Sequence, residues 1–350
     1  MTVHIVSPRA AAGAAILLGA CFGTPSPNSR SKAPPATVSA ADVSRWIGVL
    51  AADSLEGRRT GTAGSARAAR FIAREFEAAG LAPAGDSGYI QRVPLQLAVD
   101  TAGGRQLEFV ADRAAYDALP PGQRVMEGNV VGVLPGADPA LRGEVVLVTA
   151  HYDHLGVGRA VQGDSIYNGA DDDASGTTAV IGVAKLLAAG PALKRTVVFL
   201  ATTGEELGLL GTRWFIAHPP YPLHSIVANL NIEMVGRPDS LIGGTGKSWL
   251  TGYERSTMGD MLARAGVGVK PDARPELDFF ERSDNIAFAR LGIPAHTLSS
   301  YNLHQDYHQP GDDASKIDAE HMAQVIQDAA TAVRLLGNGP RVEWKPGGRP

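Results

Sequence analysis

The chain has 350 residues, 44% of them hydrophobic and 19% charged, which is enough apolar material for a substantial core and too much for a disordered chain. A formal charge of -4, with no run of Lys and Arg interleaved with aromatics, gives no basic field for gathering phosphates and argues against nucleic acid as a partner. The one cysteine, Cys21, rules out a disulfide within the chain and a cysteine zinc cluster.

The chain starts with Arg9 ahead of the apolar run AAAGAAILLGA, which ends at Cys21. That layout predicts an export signal over residues 1–20, too short to span a bilayer as a stable helix. Its LGAC ending resembles the lipobox of bacterial lipoproteins, which implies a lipid anchor at Cys21 on a membrane face toward the periplasm or exterior; the alternative is an ordinary secretion signal that happens to end in Cys, giving a secreted protein. Residues 21–38, rich in Pro, Ser and Ala, read as a flexible tether. The body is expected over 39–338, with 339–350 as a tail.

Within the body, SAADVSRWIGVLAAD places Val43, Trp46, Ile47 and Leu50 on one helical face behind a cap at Ser39 or Asp42. A second helix fits SARAARFIAREFEAAG and stops at Gly80. Residues 94–128 have no regular pattern and read as a hairpin, a surface excursion or part of a site rim. From 129 onward, apolar runs (NVVGVL, EVVLVTA, TVVFLATT, SIVANLNIEMV, PAHTLSS) alternate with helical stretches, the last being AEHMAQVIQDAATAVRLLG. Alternation of this kind predicts an α/β domain with a mostly parallel central sheet and helices on both faces.

Ligands of such sheets collect beyond the carboxyl ends of the strands. There the sequence places His151, Asp153 and His154, then Glu205 and Glu206, then Glu233, then His304, Asp306 and His308, with Asp171, Asp172 and Asp173 just ahead of a helix. Each piece alone has an ordinary reading. Adjacent Glu residues complement a helix dipole, and an Asp before a helix caps it. Glu233 is harder to explain, because a carboxylate among strand residues is costly to bury unpaired. Five excursions delivering acids and histidines to one edge point to a metal centre, and oxygen and nitrogen donors without thiolate suit zinc, with manganese or cobalt as substitutes.

The motifs HYDHLG, NGADDDASGT, TTGEELGLLGT, NLNIEMVG, RSDNIAFARLGIPA and DYHQPGDD, in this order, resemble the zinc-dependent exopeptidases that include bacterial leucyl aminopeptidases, aminopeptidase Y and glutamate carboxypeptidase. The likeness runs over about residues 39–336, including the approach LEGRRTGTAGSARAARFIAREFEAAGLAPAG, and leaves too little chain between 94 and 128 for the protease-associated domain of many relatives. It implies a zinc-peptidase, phosphorylase-like sandwich holding two zinc ions that cleave terminal residues from a peptide substrate, most simply as an aminopeptidase. It further implies that His151 and Glu233 hold one zinc and Glu206 and His308 the other. Asp171 would bridge them, with a cis peptide between Asp171 and Asp172. Glu205 would be the general base toward a zinc-activated water, and Asp153 the carboxylate that orients His151.

Tyr301 and Tyr307 are candidates for stabilising the oxyanion, and Met234 for lining the side-chain pocket. His154 and His304 rival His151 and His308 as ligands. Two departures stand out: Glu233 occupies a position where many aminopeptidase relatives have Asp, and Asn285 replaces the usual His of SDH. The competing readings are a carboxypeptidase-like or glutaminyl-cyclase-like enzyme on the same scaffold, or a binding protein on an inactive one.

Overall fold

The first helix, α1 (Ala40–Leu50), starts where the sequence supplies a capping box. The Ser39 hydroxyl accepts the Asp42 amide, and the Asp42 carboxylate accepts the Ser39 amide at 3.0 Å. The apolar stripe Val43, Trp46, Ile47 and Leu50 is buried. This computed structural model describes residues 1–4, 36–99 and 104–350. Ala36–Pro350 forms one compact unit. The expected export signal, the anchor at Cys21 and most of the tether lie outside the described residues. No helix among the described residues is long and apolar enough to cross a membrane.

After α1 come α2 (Ala63–Ala78), β1 (Ala82–Pro83), β2 (Ile90–Val99), β3 (Arg105–Phe109), α3 (Arg113–Ala118) and β4 (Arg124–Leu134). Next are β5 (Val145–His151), β6 (Gly156–Val161), β7 (Asp164–Tyr167), α4 (Gly176–Ala188), β8 (Thr196–Thr202), α5 (Leu210–Ala217) and β9 (Ile226–Ile232). The chain ends with β10 (Ser248–Leu250), α6 (Thr257–Arg264), β11 (Val269–Pro271), α7 (Asn285–Arg290), β12 (Ala295–Ser299) and α8 (Ala319–Asn338).

Ten of these strands form one sheet in the order β11-β10-β12-β9-β5-β8-β4-β2-β3, with β1 also pairing to β4. Its centre, β12-β9-β5-β8, is parallel. The β4-β2-β3 flank and the β10–β12 pairing are antiparallel. β5, β8 and β9 are buried along their whole length, as their unbroken apolar runs require. Along β5 the pleat sends Val146 and Val148 to one core, with residues of α1, α2, α4 and α8, and Val145 and Leu147 to the other, with Phe215 of α5 and Phe288 of α7. Each such fully buried side chain stabilises the fold by roughly 1.5–3 kcal/mol.

Residues 94–128 hold the β2–β3 hairpin, α3 and the start of β4, so the hairpin alternative is the observed one. Residues 339–350, expected as a tail, pack against the body. Val342 is buried, and the Trp344 indole donates to the Gly292 carbonyl at 2.9 Å, pinning the segment to the loop between α7 and β12.

Candidate metal centre

The parallel strands end at one edge, and the acids and histidines gather there. β5 ends in His151, β8 runs into Glu205 and Glu206, β9 delivers Glu233, and the loop after β12 carries His304 and His308. Between β7 and α4 the chain turns tightly through residues 170–175. Gly169 opens this turn at a φ of 57°, and a Cβ there would strike the Asp172 carbonyl and the His154 ring. Gly176 closes it, where a Cβ would meet the Ile232 carbonyl and the Asp173 carboxylate. The cis peptide bond lies between Asp172 and Asp173, one position later than the resemblance implied.

Three adjacent aspartates point three ways. Asp171 faces protein: its carboxylate accepts the Gly236 amide at 2.7 Å and the Ser175 hydroxyl at 3.2 Å, and lies 3.0 Å from His304 Nε2. Asp173 accepts the Gly176 amide at 2.8 Å and the Met234 amide at 3.0 Å, tying the start of α4 to the end of β9. Asp172 faces the cluster. One of its oxygens is 3.3 Å from His151 Nε2, and the other is 3.0 Å from His308 Nε2 and 3.8 Å from His154 Nδ1.

Asp171, expected to bridge two metals, belongs to neither donor group: its oxygens accept from protein donors, and the carboxylate common to both groups is Asp172. Four of the five ligands implied by the resemblance do converge. His151 and Glu233 group with Asp172, while Glu206 and His308 group with Asp172 and His154, the donor atoms of each group lying within 4.8 Å of one another. His154, weighed only as a rival to His151, falls in the second group. His304 is drawn off to Asp171.

The donor set fits divalent cations of zinc's preference: imidazole nitrogens and carboxylates, without thiol. Among the described residues, buried His151 Nε2, 3.3 Å from Asp172, has no hydrogen-bond partner. Unpaired buried polar atoms are rare in folded proteins and concentrate where a ligand is missing from the count. Charge points the same way. Burial drives the Glu205 carboxyl well above its usual range against the pull of His151, with Glu233, Asp284 and Glu206 adding to the rise. Burial pushes Glu233 up to about 7. Burial and the Asp172 charge push Glu206 up, but its contacts with His154 and His308 outweigh them and hold it at about 2.

Asp153 links the two halves of the chemistry. Its carbonyl lies 3.2 Å from His151 Nδ1, and its carboxylate accepts the Glu205 amide at 3.1 Å and the Thr60 hydroxyl at 3.0 Å. The Glu205 side chain itself accepts no hydrogen bond among the described residues, so its oxygens are available. Beside Glu233 lies a small pocket of about 40 Å³, walled by Trp249, Phe279 and Tyr301 and by Met234 and Tyr307. Tyr307 stacks on His308 with ring centroids 3.9 Å apart. Asn285 bonds instead to the Phe280 carbonyl and the Thr297 hydroxyl, behind the pocket.

A family model described as Peptidase family M28 matches residues 129–333, and the chain belongs to that family. Aminopeptidase YwaD of Bacillus subtilis is 35% identical over 94 residues, 27% of this chain and 18% of the relative. Probable leucine aminopeptidase 2 of Aspergillus oryzae is 28% identical over 228 residues, 58% of this chain and 43% of the relative. A vacuolar membrane protease of Clavispora lusitaniae is 28% identical over 151 residues, 43% of this chain but only 13% of the relative. The chain thus matches less than half the length of each of these relatives.

Among solved structures, BSAP, a zinc aminopeptidase from Bacillus subtilis, superposes with a TM-score of 0.60 at 17% identity, covering 86% of this chain and 96% of that one. Glutaminyl cyclase of Porphyromonas gingivalis does so with a TM-score of 0.58 at 15% identity, covering 85% and 99%. The same fold carries both, so fold alone does not choose between the two chemistries.

Proposed function

We propose that the protein is a metal-dependent exopeptidase, an aminopeptidase that removes N-terminal residues from peptides with two divalent ions, zinc by preference. The observation that carries this reading is the pair of donor groups sharing Asp172, with the Glu205 side chain close to His151, Glu233 and Glu206. His151 and Glu233 would hold one ion, and Glu206 and His308 the other, with Asp172 common to both. Bound there, zinc supplies Lewis acidity, lowering the pKa of water and polarising a carbonyl.

The chain's own groups do the rest. Glu205 takes a proton from the attacking water as the water oxygen bonds to the scissile carbon. It returns that proton to the amine nitrogen as the C–N bond breaks. Asp153 keeps His151 and the Glu205 backbone in register, a task metal-bound imidazoles require of a neighbour. The pocket beside Glu233 receives the terminal side chain against Met234, Trp249 and Phe279, and Tyr301 or Tyr307 steadies the oxyanion.

One observation favours a second reading. Arg282 lines the same pocket, lies 5.0 Å over the Phe279 ring and has no ion-pair partner among the described residues. A free guanidinium there suits a carboxylate, as a carboxypeptidase would need. Aminoacyl anilides run against N-blocked peptides with a free C-terminus, with and without a chelator, separate the two. The aminopeptidase reading requires chelator-sensitive cleavage of the anilides, and cleavage of the N-blocked peptides alone rejects it.

The LGAC sequence supports export and lipid anchoring at Cys21. Cys21→Ala is expected to move the protein from the membrane fraction to the soluble one, and an unchanged membrane fraction would count against the anchor.

A further inference from the structure

We propose that His154 is itself a metal ligand, so that the two sites are unequal: one closed by four protein donors, the other left open with three. The proposal rests on the two-ion reading above and goes beyond the five ligands the resemblance implied.

His154 lies three residues beyond the end of β5, and its ring is buried against the backbone of Gly169, on the side of Glu206 and His308. Nδ1 is 2.8 Å from Glu206 and 3.8 Å from Asp172. His308 Nε2 is 3.0 Å from Asp172 and 3.4 Å from Glu206. Zinc bonds of about 2.0–2.1 Å set tetrahedral donors roughly 3.3 Å apart, and these four separations straddle that value.

A proton on His154 Nδ1 could serve the Glu206 oxygen alone, whereas a cation among the four donors serves all of them. The far nitrogen, Nε2, has no hydrogen-bond partner among the described residues. The ring is held edge-on to His308 at 5.6 Å, as two imidazoles converging on one centre would be.

Four protein donors close a zinc site, whereas catalytic sites keep a position free. The group of His151, Asp172 and Glu233 has only three donors. It also owns the contact with the pocket, through Glu233. The closed site then loads first and anchors the shared Asp172, and substrate meets the open one.

The test uses the full-length protein, stripped with a chelator and titrated with Co2+ while absorption and heat are followed, for wild type, His154→Ala and His154→Gln. In wild type the first equivalent should bind tightly and give the intense visible absorption of four-coordinate cobalt. His154→Ala should weaken that first step by at least about tenfold and lower the absorption, with the second step kept. Gln can still donate a hydrogen bond to Glu206 but offers no imidazole nitrogen, so it should behave like Ala, and it serves also if the Ala variant does not fold. Two equivalents bound with an unchanged first step and spectrum in the Gln variant would overturn His154 as a ligand and leave the two-ion reading intact. Fewer than two equivalents in wild type would overturn both.

Discussion

Two regions near the ends of the central strands each bury charge, and they treat it oppositely. Arg58 is fully buried and gives its guanidinium to protein: Nε donates to the Tyr152 carbonyl at 2.7 Å, and the terminal nitrogens donate to the carbonyls of Leu50, Asn168 and Gly169. It joins the end of α1, the His151–His154 loop and the entry to the aspartate turn. The carboxylate and imidazole cluster is also largely buried, yet leaves His151 Nε2 without a partner among the described residues. The contrast separates structure from chemistry. A buried charge whose hydrogen bonds all end on protein holds the fold together, while a buried cluster left incomplete by the protein waits for a group from outside.

Substitutions in the two regions should therefore fail in different ways. The largest effect is expected at Glu205. Glu205→Gln keeps size and fold but cannot accept a proton, so kcat should fall by about 10²–10⁴-fold with metal content unchanged. Near-normal turnover of a chelator-sensitive substrate would remove Glu205 as the base. Arg58→Met should show the reverse pattern. It strands several buried carbonyls, each costing about 1–3 kcal/mol, so urea unfolding should show at least about 3 kcal/mol lost, whether metal is present or removed. If Arg58→Met unfolds like wild type once metal is stripped, the contrast between the regions is wrong.

The sequence carried the gross layout because strand burial and chain order are one-dimensional signals. Unbroken apolar runs at 145–151, 196–202 and 226–232 are what a parallel centre requires, and the residue after each run must lie at the sheet edge. What it did not carry depends on backbone direction. Asp171, Asp172 and Asp173 are chemically identical, and only the turn through residues 170–175 decides which one faces the cluster. His154 was visible as a histidine three residues after His151, but nothing in its spacing tells a rival from a companion.

The β6–β7 hairpin and the short strands β10 and β11 escaped for another reason. They are brief, and β6 is largely exposed and β7 only partly buried, so they leave little hydrophobic period to read.

Two ions sharing Asp172, with Asp171 serving the fold, is an arrangement open to direct measurement. Metal content after saturation and desalting, measured side by side for wild type, Asp172→Asn and Asp171→Asn, tests it most directly. The account predicts two ions per chain in wild type and in Asp171→Asn, and one or fewer in Asp172→Asn. Two ions retained in Asp172→Asn, with loss in Asp171→Asn, would contradict it.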